Sequence, residues 1–329
     1  MMLPLERAWW KGQARRRLPP EVLEHVRRWK TAAHDGEIRR FDARSRIKVL
    51  VLFAGFFLTL WGYELRPESG VVTLAAVAAV GAFLVPYTRI FMHSQMHWGM
   101  GGMRLTRFLL DRLVSLLFSV PQTGYAIGHR MHHRFDNDFD ASGRPRDLQS
   151  TYLFSRSAQP TSMLVWIPYY MFIFQHAVVP WLVFTQRRLS AKLWYLVELG
   201  CIAGFHAMLF RNHTGFYVHV YVPGLLLAWF GSAMVLYMMH AVDATSYVLH
   251  PTNTSVSSFF NTFGDNDGYH LEHTLFSSLH PIHLRKLHAM LDPSPEQVFK
   301  DHYFIAGMKR ALGLRPACAG LVGMERAPR

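Results

Sequence analysis

Long apolar stretches alternate with polar, histidine-bearing segments along this chain. Four of the apolar stretches have about the length that a helix needs to cross roughly 30 Å of hydrocarbon: residues 47–63, 71–90, 193–210 and 220–240. Short connections at 64–70 and 211–219 join them in pairs. The pattern predicts an all-α membrane protein with about four transmembrane helices in two hairpins.

A fifth apolar stretch, residues 161–184, contains Pro168 and Pro180 and is followed by the basic segment 187–192. If this stretch crossed the membrane, the basic segment would face outward, against the positive-inside tendency. Because internal prolines break helices, we expect a broken re-entrant or interfacial helix here. The amphipathic stretch 104–121 predicts another interfacial or cytoplasmic helix.

Composition and charge support a membrane location. Hydrophobic residues make up 50% of the chain and charged residues only 17%, against about a quarter in soluble domains. The net charge is +13, and much of the excess precedes the first apolar stretch, which marks the cytoplasmic side of a membrane. No nucleic-acid-binding module accompanies it. We therefore expect no nucleic-acid partner.

These observations predict three parts. Residues 1–46 form a basic cytoplasmic segment, for which a disordered tail is the alternative, and residues 47–310 form the membrane domain. Residues 311–329 form a flexible C-terminal tail. Both termini and the polar, histidine-bearing segments are expected on the cytoplasmic side of the cytoplasmic (inner) membrane. The polar segments should form a cytoplasmic helical cap.

Seven of the 19 histidines fall into three clusters, each next to an apolar or amphipathic stretch: His93 and His97; His129, His132 and His133; His270 and His273. Residues three or four apart share one face of a helix, so each cluster can direct imidazoles at a common ion. Seven histidines exceed the needs of one four-coordinate zinc and suit two metal ions. Spacing alone leaves iron, copper, zinc and nickel open.

The motifs His93-x-x-x-His97, His129-x-x-His132-His133 and Asn266-x-Gly268-x-His270-x-x-His273 resemble the three histidine boxes of the integral-membrane fatty acid desaturase and hydroxylase superfamily. The resemblance covers roughly residues 47–290. It implies that the histidines bind two iron ions, which activate O₂ and attack an unactivated C–H bond of an acyl or alkyl chain. It also implies a ligand at the end of the last span, where His240 fits best and His250, before Pro251, is the second choice. A helix-capping role is the alternative for His240.

The third box departs from the family pattern, which ends in two adjacent histidines, because residue 274 is Thr. Candidate replacement ligands are Glu272, His280 and His283. Carboxylates that orient the imidazoles are also expected. The acids near the boxes are Asp136, Asp138, Asp140, Asp147, Asp243, Asp265 and Asp267, and of these Asp136, Asp243 and Asp267 are the preferred candidates. Ordinary turn or solvated acids are the alternative. In the family, an Asn at the position of Asn266 can coordinate the metal through water.

The resemblance implies O₂-dependent desaturation of a fatty acid or derivative. Hydroxylation, or oxidative decarboxylation to a terminal alkene, are alternatives at the same site. Electrons are expected from a separate donor such as a ferredoxin or rubredoxin, and a basic cytoplasmic surface would suit an acidic donor. A histidine-rich metal transporter is the alternative from another class, although transport requires ligands near the bilayer midplane rather than at span ends. Chain length, carrier and position of attack stay open.

Overall fold

A computed structural model describes residues 15, 17–31, 36–98, 104–135, 140, 145–154, 159–242, 252–291 and 293–318 of the chain. Over these residues the chain is mostly helical. Strand pairing includes two short parallel strands, β1 (Thr254–Ser255) and β2 (Val298–Phe299), and an isolated bridge between Phe299 and Cys318. This architecture confirms the predicted all-α fold class.

Twelve helices are numbered here in chain order: α1 Pro20–Thr31, α2 Gly36–Glu64, α3 Gly70–His97, α4 Arg104–Phe118, α5 Gln122–Phe135, α6 Met163–Phe184, α7 Leu189–Asn212, α8 Thr214–His240, α9 Ser258–Phe263, α10 His270–Leu275, α11 Leu284–His288 and α12 Tyr303–Ala311. Two 3₁₀ turns, Pro281–His283 and Pro295–Gln297, lie between the later helices. The predicted amphipathic helix is α4.

Five helices (α2, α3, α6, α7 and α8) are long and apolar enough to cross a membrane, judged by length and composition. Four of them coincide with the predicted spans, and α6 is the additional one. Large apolar side chains project outward from these helices: Leu58, Trp61 and Val71 are 62%, 63% and 80% exposed. Lipid tails are the environment that such surfaces require, and the chain is an integral membrane protein.

Three of these helices contain a π-helical stretch, and each stretch ends two residues before a proline: Ala79–Leu84 before Pro86, Tyr169–Val178 before Pro180, and Tyr217–Tyr221 before Pro223. The N–H that follows each stretch bonds five residues back, as Val179 does to the carbonyl of Phe174. A wider turn makes room for a proline ring, which would clash with a carbonyl in a regular α-helix. The predicted break in α6 is therefore wrong, because the helix continues through both of its prolines.

The chain divides into two compact units. The membrane unit comprises His34–Arg130 and Pro168–Ala233. Aromatic rings form part of its interior, where Phe56 contacts Phe205, Phe216 and Tyr221 with ring centroids 5.7 to 6.0 Å apart. These contacts join α2, α7 and α8 within the unit.

The polar unit comprises Met1–Ala33, Met131–Ile167 and Met234–Arg329. Its core joins the basic helix α1 to the segment that follows the third histidine cluster. The buried members are Leu18, Val22, Val26, Tyr269, Leu271, Leu275, Phe276, Leu279, Leu284, Leu287 and Leu291. Helix α1 thus packs its apolar face against the segment that holds α10 in place.

Candidate metal centre

In the membrane unit, three histidines from two helices converge. His93 and His97 lie one turn apart at the end of α3, and His129 lies on α5. The Nε2 atoms of His97 and His129 are 3.0 Å apart, and a ligand nitrogen of each of the three rings lies within 4.8 Å of the others. Tyr125, one turn before His129, stacks on its ring at 5.5 Å. This stacking limits the rotation of the imidazole.

In the polar unit, three buried histidines from three helices converge more closely. The Nε2 atom of His240, the last residue of α8, lies 3.1 Å from that of His132 and 2.9 Å from that of His270. All three side chains are at most 2% exposed. The ends of α5 and α8 and the start of α10 supply one ring each.

The chemistry of this three-histidine group fits a metal ion. A neutral imidazole nitrogen carries either one proton or one lone pair, so the Nε2 of His240 can form a hydrogen bond with only one of its two close neighbours. A cation satisfies both contacts, because it accepts a lone pair from every ring. Two nitrogens about 2.1 Å from one ion and at right angles would lie about 3 Å apart. The observed separations match that value.

Asp147 fixes the orientation of His132. Its Oδ2 accepts a hydrogen bond from Nδ1 of His132 at 2.6 Å, and its Oδ1 accepts one from the backbone N–H of Gln149 at 2.8 Å. With its proton held at Nδ1, the ring keeps the lone pair on Nε2 for a metal. The same loop reaches a second histidine of the group, because the Thr151 hydroxyl donates to the carbonyl of His240 at 2.9 Å.

We expect Asp147→Asn to weaken metal binding without unfolding the protein. The amide keeps the size of the side chain but loses the charge that favours the donating Nδ1–H of His132. Loss of such a partner costs about 10- to 100-fold in metal affinity. Competition with a chelator during metal titration of purified protein measures the change. Wild-type affinity in this variant would show that the hydrogen bond does not tune the site.

The third cluster is held by a tight turn before α10. The N–H of Gly268 donates to Oδ1 of Asn261 at 3.0 Å, and its carbonyl accepts from the phenol of Tyr303 at 2.9 Å. Burial raises the pKa of Tyr303 well above its usual range, which keeps the phenol a donor. His270 begins α10 directly after this turn, and His273 follows, with its Nε2 3.0 Å from that of His133. No spacing rule in the sequence indicated Asn261 or Tyr303.

The candidate replacement ligands have other contacts. Glu272 accepts hydrogen bonds from His288 at 2.6 Å and from Thr254 at 2.7 Å. His280 accepts the N–H of Ile282 and so caps a 3₁₀ turn. His283 stacks on Trp29 of α1, with ring centroids 5.2 Å apart. In the part of the chain that the structure describes, none of the three candidates joins a group of converging metal ligands.

The remaining candidates near the boxes have mixed placements. Asn266 donates through its side chain to the carbonyl of Pro281 at 3.0 Å, and Asp267 is buried in the same turn. Asp136 and Asp243 lie outside the described residues. Thr274 is 1% exposed, and its hydroxyl has no hydrogen-bond partner within the described ranges. Because Thr274 lies four residues after His270 on α10, the two side chains share a face of the helix.

Long apolar helices that end in converging imidazoles indicate a membrane protein with a metal site at the ends of its helices. The family model for fatty acid desaturase matches residues 69–304, most of the chain, and the chain belongs to that family. It is a fatty acid desaturase-like oxidoreductase with a fatty acid or acyl substrate. Among curated proteins, none matches the chain.

Proposed function

We propose that the protein is a membrane diiron oxidase that uses O₂ to desaturate the aliphatic chain of a fatty acid or derivative. The observation that carries the proposal is the convergence of the buried side chains of His132, His240 and His270. The Nε2 atom of His240 lies 3.1 Å from that of His132 and 2.9 Å from that of His270. Family membership supports the reaction class. When bound, the two reduced iron ions supply activation of O₂ and oxidation of a C–H bond.

Eight histidines are the proposed ligands of the two ions. His132, His240 and His270, which converge in the polar unit, would hold one ion. The other five proposed ligands are His93, His97 and His129 in the membrane unit and His133 and His273 in the polar unit. Family membership supports iron rather than another metal.

The protein's own residues would orient the ligands and keep water out. Asp147 holds the proton of His132 at Nδ1, and the burial of all three rings in the first group keeps the oxidising site away from bulk water. Desaturation removes two hydrogens from the chain and reduces O₂ to two waters. It therefore requires two electrons and two protons from outside the chain being oxidised.

An external donor such as a ferredoxin or rubredoxin would supply the electrons. Exposed basic side chains lie on helices of the polar unit, including Lys30 on α1 and Arg285 and Lys286 on α11. A basic surface suits an acidic donor and gives an association rate that falls as salt rises. If the turnover rate, measured at a limiting concentration of the donor, did not change with ionic strength, this part of the proposal would be wrong.

We propose a membrane topology on a parity argument. His132 and His240 are in contact, yet the chain between them runs through three span-length helices, α6, α7 and α8. A chain that returns to the same side crosses an even number of times, so at least one of the three does not cross. We assign that role to α6. This choice leaves Arg187 and Arg188 on the cytoplasmic side with the metal centre and both termini, as the positive-inside tendency favours.

Two alternatives keep the same site and change the product. Insertion of one oxygen atom of O₂ into the C–H bond gives an alcohol, and the other oxygen atom is reduced to water. Removal of a hydrogen from the β carbon, with loss of the carboxyl group from the α carbon as CO₂, leaves a terminal alkene that is one carbon shorter. Glu272 is hydrogen-bonded to His288 and does not replace the histidine that the family pattern has at position 274. If either product forms, Thr274 is therefore the residue to mutate next. A metal transporter fits less well. Its ligands would be needed near the midplane, whereas His97 and His240 are the last residues of their helices.

Gas chromatography–mass spectrometry of cells that express the chain tests the proposal. Total fatty acids and headspace are sampled, with His132→Ala as the control that removes a proposed ligand. We expect a new unsaturated chain that is absent from the control. An alcohol or a terminal alkene in place of it would select the corresponding alternative. A metal-loaded protein that moves metal with a gradient and forms no lipid product, with a donor supplied, would favour the transporter.

A further inference from the structure

A carboxylate lies inside one of the span-length helices of the membrane unit. Glu198 is the only acidic residue of α7 and is 1% exposed. Ionisable groups within membrane spans are costly and are usually retained for a specific role. Glu198 is not among the histidine clusters, so its role must be found in its contacts.

Glu198 caps the first turn of α5 from the neighbouring helix. Its Oε2 accepts the backbone N–H of Thr123 at 2.8 Å, and its Oε1 accepts the Thr123 hydroxyl at 2.9 Å. The guanidinium of Arg112 lies 3.4 Å from Oε1. The first N–H groups of a helix have no partner within the helix, and a negative group placed there is stabilising.

Two further contacts fix the same end of α5. The side chain of Gln122 donates to the carbonyl of Met92, the residue before His93, at 3.0 Å. Gly124 packs so closely that a Cβ atom there would lie 2.8 Å from both Tyr195 and Val179. Tyr195 is one turn before Glu198 on α7. The start of α5 is therefore held both along its axis and in rotation.

We infer that Glu198 is a positioning residue for the metal centre and acts through α5. This helix carries three proposed ligands: His129, His132 and His133. His129 lies six residues after Thr123, or about 9 Å along the axis. Since a metal site tolerates ligand displacements of only about 0.5 Å, a small shift at the capped end is enough to misplace the imidazoles. The inference rests on the proposed metal centre.

Two variants and one control test the inference in full-length protein purified in detergent and loaded with ⁵⁷Fe. Glu198→Gln keeps the side-chain volume, but its NH₂ group would face one of the donors that the carboxylate now meets on Thr123 and Arg112. Thr123→Val keeps the shape and removes only the hydroxyl contact, so the test does not depend on one variant folding. Glu64→Gln is the control, because Glu64 is a partly exposed carboxylate 3.4 Å from His213.

The measurements are the rate of iron loss to a chelator, the Mössbauer spectrum and the melting temperature. We expect iron loss to be about 10-fold faster in Glu198→Gln, within the range for partners of metal ligands, with a changed spectrum. Thr123→Val should show a smaller change in the same direction, and the control none. A lower melting temperature with a wild-type spectrum and iron-loss rate in both variants would overturn the inference.

The same preparation separates failure of this inference from failure of the proposed function. His132→Ala removes a proposed ligand and should lower the iron content. If His132→Ala kept all its iron, the proposed centre would be wrong whatever the Glu198 variant showed. If His132→Ala lost iron while Glu198→Gln and Thr123→Val behaved as wild type, only the positioning role would be wrong.

Discussion

His240→Ala is expected to abolish desaturation and to release one of the two proposed iron ions. The Nε2 of His240 lies between those of His132 and His270, at 3.1 and 2.9 Å. Removing this ring leaves two imidazoles, too few to complete the coordination of a transition metal in a buried site. Iron content per chain should fall from about two to about one, and product should fall by more than about 100-fold, since loss of a ligand exceeds loss of its hydrogen-bond partner.

His219→Ala is the matched control for this prediction. His219 lies on the same helix, α8, and its side chain is exposed. The control should keep its iron and its product yield. Elemental analysis and product quantification on the same preparations give both readouts. Two iron ions per chain in His240→Ala would contradict the assignment of His240 as a ligand.

Gly268→Ala is expected to disrupt the turn that delivers His270. A Cβ atom at this position would lie 2.5 Å from the carbonyl oxygen of Ser255 and 2.5 Å from Oδ1 of Asn261. Neither neighbour can withdraw freely. Ser255 accepts the side-chain amide of Asn261 at 2.8 Å, and Asn261 accepts the N–H of Gly268 itself. Overpacking of this kind costs about 1 to 3 kcal/mol of unfolding free energy, and here it also moves a proposed ligand.

Melting temperature and iron content together measure the effect of Gly268→Ala, and both should fall. Gly204→Ala is the control, because a Cβ atom at Gly204 has no neighbour within 4 Å. The control should have at least wild-type stability, since alanine favours a helix by about 1 kcal/mol over glycine. A Gly268→Ala protein with wild-type melting temperature and iron content would contradict the prediction, because it would show that the turn can accommodate a Cβ atom.

The features that could be predicted from the sequence are those that depend on the local pattern of residues. Apolar length located the four hairpin helices, and three- and four-residue spacings selected the histidines that converge in each unit. The family resemblance implied a ligand at the end of the last span, where His240 stands, and His240 lies between His132 and His270. These features depend on the chain within one or two helical turns, where spacing decides which side chains share a face.

Features that depend on distant partners could not be predicted in this way. Glu272 is next to His273, which suggested a ligand, but its carboxylate binds His288 and Thr254, 16 and 18 residues away. Asp147 was one of several acids near the second cluster, and only the folded loop selects it. The prolines of α6 predicted a break because a regular helix cannot hold them, and a π-helical stretch holds one of them instead.

The π-helical stretch Ala79–Leu84 in α3 sets the direction in which His93 and His97 project from the helix. Each residue added to a helix rotates everything beyond it by about 100°, and a widened turn is an added residue absorbed without a break. The faces of α3 before and after the stretch are therefore out of phase. The direction of the outward side chain of Val71 and the direction of the His93 imidazole about the helix axis are therefore set by two different segments of the helix. A relative with one residue fewer in this helix could keep its fit to the lipid and still turn its first histidine box away from His129, whose ring centroid lies 4.7 Å from that of His93.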